Sequence, residues 1–207
     1  MPRTIEQPQN ARSRRTVAAL LQAARELIEE QGFEVLTMAA VAERAGVSRR
    51  GAYLHFSTRG ELLIALYRSL GDTEQLAASL QKVWDAPDAL ATLREWAEHI
   101  ARSHPRILAV LRAVERARHT DPDAAELWET TLANWRKGSH RVIERLEAER
   151  RLSPPWTADT ATDMLWALMS LDILDRLLTE RHWSRKRLAQ HLSALLEAAF
   201  VCPSGGA

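Results

Sequence analysis

The 207 residues carry 28 Lys and Arg against 27 Asp and Glu, so no overall charge points to a partner, and the 46% hydrophobic content can build a sizeable core. The single cysteine, Cys202, excludes an intrachain disulfide and fits a reducing cytoplasm. The polar, Arg-bearing start has no signal-peptide core, and the longest apolar stretch, 164–178, is interrupted by Ser170, Asp172, Asp175 and Arg176. It is too short and too charged to span a bilayer, so no membrane partner is expected.

Ala, Leu, Arg and Glu, all good helix formers, dominate, and the segments follow in order. Residues 1–12 read as a mobile arm. A first helix is expected over 13–31, with Val17, Leu20, Leu21, Ala24, Leu27 and Ile28 on one face, Gly32 ending it and Phe33 packing back on Ile28. A second spans 38–45 behind the N-cap Thr37 and stops at Gly46. A third runs from Ser48, its N-cap, to 54. A fourth opens with the T-x-x-E capping box of Thr58 and Glu61 and continues past Gly71 to about 82.

Five more helices are expected. They cover 87–102 with Pro87 at its first position, 103–118 from Ser103-His104-Pro105, and 121–150 with Asp121 as N-cap and Pro122 after it. The break Ser153-Pro154-Pro155 precedes 158–180, capped by Thr157, and Ser184 caps 185–201. Nine helices with short connections make an all-α fold without internal repeats.

Charge is uneven along this frame. Residues 1–70 hold ten Arg and seven acids, net +3, and between Glu43 and Glu61 stand Arg44, Arg49, Arg50 and Arg59 with no acid. Two short helices joined by the turn Gly46-Val47-Ser48 form a helix-turn-helix, with Val41, Ala42, Ala45 and Val47 as its small apolar contacts. Ordinary helical hairpins share that packing. The second helix of a DNA-binding motif, however, presents its N-terminal residues to base edges in the major groove, and here those are Arg49 and Arg50. Arginine pairs bidentately with guanine, and hydroxyls and helix N-termini suit phosphates.

The stretch TMAAVAERAGVSRRGAYLHFSTRGELLIAL, Thr37–Leu66, resembles the signature of the tetracycline-repressor-like (TetR) family of bacterial regulators. The Ala45-Gly46-Val47-Ser48 turn, Tyr53 followed by Phe56, and Arg59 before Glu61-Leu62 carry the likeness, which covers about 13–66. The resemblance implies a phosphate contact at Thr37, base reading by Arg49 and Arg50 beside Ser48, backbone or base contacts at Tyr53 and His55, and a phosphate anchor at Arg59. Gly51 departs from the family's usual Thr or Ser. It either lets the backbone approach DNA or loosens the helix, and the sequence leaves both open.

The resemblance also implies a helix-turn-helix domain over 13–57, joined by the fourth helix to a regulatory domain over 58–207 that binds an effector and dimerises. Leu168, Leu171 and Asp172 on one helix, with Leu188, Leu192, Leu195, Leu196 and Ala199 on the last, are the candidate dimer face; core of a single subunit is the alternative. Trp96, Trp135 and Trp166 are candidates to line a partly apolar effector cavity, with His99, Arg112, Glu115, Asn134 and Met169 as polar or adaptable contacts; plain packing is the alternative.

No metal or other cofactor is expected, because the seven histidines do not cluster at ligand spacing. Nor is there a nucleophile elbow or a phosphate loop, so no enzymatic activity is expected. The reading is a cytoplasmic, homodimeric regulator of transcription, a repressor released from double-stranded operator DNA by a small molecule. A ligand-independent activator or nucleoid-type protein, and a carrier or enzyme using the larger domain, are the competing readings.

Overall fold

The computed structural model describes residues 11–71 and 74–202. Most of the expected arm, 1–10, lies outside the described residues. Among the described residues the elements are α1 Ala11–Gln31, α2 Met38–Arg44, α3 Arg49–His55, α4 Arg59–Gly71, α5 Glu74–Trp84, α6 Ala89–Ala117, α7 Pro122–Ala148, α8 Ala158–Leu168, α9 Leu171–Asp175, a π-helical turn Arg176–Glu180 and α10 Arg185–Phe200. The all-α expectation holds. No helix among the described residues is long and apolar enough to cross a membrane.

The chain divides into two compact units. One comprises residues up to Ser69 together with Ala109–Trp128; the other comprises Leu70–Leu108 and the chain from Glu129 on. In the first, α1 buries Leu20, Ala23, Ala24, Leu27 and Ile28, and α2 packs between α1 and α3 through Val41 and Ala42. Gly32 and Gly46 hold φ of 93° and 68°, the left-handed caps that their positions require. At the second, Gly46 N–H donates to Glu43 O at 3.1 Å and Val47 N–H to Ala42 O at 3.0 Å, closing α2 so that α3 can cross it.

The second unit is built on Leu93, Trp96, Ile100, Val142, Ile143, Leu146, Leu165, Leu174, Leu188, Leu196 and Phe200. Two expectations are corrected in the chain beyond α3. The stretch expected as one helix to about 82 is helical as α4 up to Gly71 and as α5 from Glu74, with 72–73 outside the described residues. The helices expected over 87–102 and 103–118 are one, α6, which starts at Ala89 behind Asp88, whose carboxylate accepts from Ala91 N–H at 2.8 Å. Pro105 leaves the Ala101 carbonyl without its helical donor, but Ala97, Ile100, His104, Ile107 and Leu111 form one buried stripe across it, and that burial outweighs a lost hydrogen bond.

The helix expected over 158–180 is broken. Met169 and Ser170 donate back to Trp166 O and Ala167 O at 3.1 Å, Ser170 turns extended, and α9 passes into the π-helical turn. The expected caps Asp121, Thr157 and Ser184 are all present.

Candidate functional site

In the first unit α3 buries Ala52 and turns its other residues outward. Ser48 Oγ accepts from Gly51 N–H at 3.0 Å, and Thr37 Oγ1 accepts from Ala40 N–H at 3.1 Å, so both caps are made as the sequence implied. Each hydroxyl keeps its proton for another acceptor. Arg49 and Arg50 are exposed, and neither forms an ion pair among the described residues. The Arg49 guanidinium lies 5.9 Å from the centre of the exposed Tyr53 ring, and His55 is half-buried at the helix end. A Cβ at Gly51 would meet Ser48 Oγ at 3.1 Å, so the glycine relieves crowding at the helix's own cap.

Arg59 stands apart from this face. Its Nε donates to Asp123 at 2.9 Å, its Nη2 donates to Asp121, and its guanidinium lies 5.4 Å from the centre of the Phe33 ring. Burial works against its charge, but the two carboxylates outweigh it and raise its proton affinity; Asp121, in spite of its own burial, is held below the usual carboxylate range by Arg59. The expected phosphate anchor thus has competing partners inside its own unit. Gly60 allows this approach, since a Cβ there would meet Asp123 Oδ1 at 3.0 Å.

The residues expected around an effector are divided. Arg112 and Glu115 fall in the first unit, while Trp96, His99, Asn134, Trp135, Trp166 and Met169 fall in the second. Asn134 is exposed on α7, so the structure does not bring it into the buried group that follows. Trp166 donates its Nε1–H to Leu132 O at 3.2 Å, tying α8 to α7.

The others come together. The Trp96 ring lies 5.9 Å from Trp84 and 5.8 Å from His99, and a Cβ at Gly138 would meet it at 2.6 Å. Next to Gly138, Ser139 Oγ contacts Met169 Sδ at 3.4 Å. His104, absent from the sequence expectations except as a helix start, stacks on Trp135 at 5.2 Å; its position on the buried stripe of α6 was the signal for it. Among the described residues, Trp96 Nε1 and both His104 ring nitrogens are buried without a well-formed hydrogen bond. Burial and the Arg102 charge lower His99 to about 4; burial likewise lowers His104 to about 4, against the Ile100 and Met169 carbonyls. Both rings are neutral at physiological pH, and His99 Nδ1 is 3.0 Å from Ser79 Oγ. No group of His, Cys, Asp and Glu suited to a metal occurs among the described residues.

Most of the expected dimer face is turned inward. Leu171, Leu188, Leu192 and Leu196 are buried within the unit, and Leu168 and Ala199 are partly buried against the same core. Helical spacing alone does not separate a core stripe from an interface stripe. Asp172 and Leu195 are exposed, as are Met164 and Ile173 at 42% each.

Residues 20–66 match the model of the bacterial regulatory proteins of the tetR family. The chain is 28% identical over 183 residues to the HTH-type transcriptional regulator BetI of Rhizobium meliloti, covering 88% of this chain and 75% of that protein. Its fold is shared with NalD of Pseudomonas aeruginosa, the secondary repressor of the MexAB-OprM multidrug efflux pump (TM-score 0.72, 24% identity, 94% of this chain and 100% of that one). It is shared too with a transcriptional regulator of Saccharomonospora viridis in complex with choline (TM-score 0.70, 18% identity, 90% and 98% covered). Residues 20–66 are therefore a helix-turn-helix domain of the tetR-family type.

Proposed function

We propose that the protein is a cytoplasmic homodimeric repressor, each subunit placing α3 in the major groove of one half of a palindromic operator, and that a small molecule releases it. The observation that carries this reading is the outward face of α3. Arg49 and Arg50 project from the helix N-terminus beside Tyr53, with no carboxylate paired to either among the described residues. Thr37 and Ser48 donate their hydroxyl protons to phosphates, and His55 flanks the groove.

The effector binds in the second unit, among Trp96, His99, His104, Trp135 and Met169. Aromatic walls with a few buried polar atoms short of a well-formed hydrogen bond support that site, and the two neutral histidines favour an uncharged group beside them. A protein of the same fold holds choline, which supports a small-molecule site in this architecture. Met164, Asp172, Ile173 and Leu195 form the dimer contact, since the buried leucines of α9 and α10 are already committed.

Selection from random duplexes tests the reading. The protein should enrich a palindrome whose half-sites lie about 10 base pairs apart or a multiple of it. Recovery of no common sequence would refute it.

A further inference from the structure

α3 carries one large apolar side chain that neither the fold nor the reading above uses. Leu54 is 77% exposed, more than Tyr53, Met164, Ile173 or Leu195. It stands four residues after Arg50 and next to Tyr53, so Arg50, Tyr53 and Leu54 share one helical face. That face is also the one opposite Ala52, the buried residue of the helix. A leucine with no packing role, set between arginines and a half-exposed tyrosine, is out of place on a surface that meets water alone.

We propose that Leu54 is a specificity-determining residue that reads the 5-methyl group of a thymine close to the base pair contacted by Arg50. The inference rests on the DNA-reading role of α3 and goes beyond it by assigning a base. The thymine methyl is the apolar group that base pairs present in the major groove; the other marks are hydrogen-bond donors and acceptors. A leucine entering the groove therefore gains by covering a methyl and loses by stripping water from a polar base edge. Four residues of helix advance about 6 Å, and base pairs rise about 3.4 Å, so the thymine lies one or two steps from the guanine of Arg50.

The test uses the selected operator in two forms, one natural and one with deoxyuridine in place of every thymidine. The two differ in the methyl groups and keep every base pair. Burying one methyl corresponds to about fourfold in affinity per half-site, or about 15-fold for both. Wild-type protein should lose at least that factor on the deoxyuridine duplex. Leu54→Ala should bind the natural operator more weakly by a similar factor and lose about 15-fold less on demethylation. Leu54→Met, which keeps an apolar tip, should retain the methyl sensitivity. Because Leu54 is exposed, unchanged thermal midpoints will show that the variants are folded. Equal losses for wild type and Leu54→Ala would overturn the proposal while leaving DNA reading intact, as would indifference of the wild type to the methyl groups. Failure to select any operator would instead overturn the DNA-reading role itself.

Discussion

Lowering the pH from 7 to 5 should destabilise the second unit through His99 and His104. Both are held near 4 against an ordinary 6.5, chiefly by burial. Between those values the unfolded chain binds protons that the folded chain refuses, so stability falls as the pH drops below about 6.5 and levels off below about 4. At pH 5 an unfolded histidine is almost fully protonated and the folded one about one-tenth so, which corresponds to about 2 kcal/mol for each ring. The carboxylates held by arginines do not confuse this window. Glu197, hydrogen-bonded by Arg94, and Asp121, paired with Arg59 in spite of burial, are both shifted down and stay ionised at pH 5. The assay is urea unfolding followed by tryptophan fluorescence at both pH values and one protein concentration. His104→Phe keeps a ring against Trp135 and removes one titrating group, so the loss between pH 7 and 5 should shrink by about 2 kcal/mol. An unchanged loss in His104→Phe would refute the assignment.

Other consequences follow from the same geometry. Gly138→Ala gains about 1 kcal/mol of helix propensity but drives a Cβ into the buried Trp96 ring at 2.6 Å, and overpacking costs about 1–3 kcal/mol. Urea unfolding should show net destabilisation, relieved in Gly138→Ala/Trp96→Phe; a more stable single variant would contradict the packing. Arg59→Ala strands Asp121 and Asp123 partly buried and should lower the stability of the first unit by about 1–2 kcal/mol, read as a drop in thermal midpoint. The slope of DNA affinity against salt separates its two roles: a phosphate anchor loses about one unit of slope on substitution, whereas a clamp held by carboxylates leaves it unchanged.

The local signals were legible because they are local. Gly32, Gly46, Thr37, Ser48, Asp121, Thr157 and Ser184 each end or cap a helix through a contact within five residues, and the sequence displays such contacts directly. Pro105 misled because a proline's local cost was weighed without the long buried stripe that carries α6 through it. The break at Met169–Ser170 lies within a run that is apolar on every side, where periodicity gives no phase. Leu188, Leu192 and Leu196 show the same limit for interfaces, since a stripe facing its own core and one facing a partner have the same spacing. Arg59 and His104 depend on partners 62 and 31 residues away in sequence, Asp121 and Trp135, which only the tertiary fold brings near. Leu54 was passed over because a lone leucine near a helix end carries no signal until its exposure is known.

The central claim, sequence-specific reading of DNA by α3, is tested most directly by fluorescence anisotropy over a salt series. The duplexes are the DNA upstream of the protein's own gene and a random control, with wild type and Arg50→Ala compared. The account predicts that wild type binds the upstream duplex more tightly than the control at every salt concentration. Arg50→Ala should narrow that gap by about 1–3 kcal/mol per half-site while binding the control nearly as well. Equal loss by Arg50→Ala on both duplexes would contradict base reading by this helix.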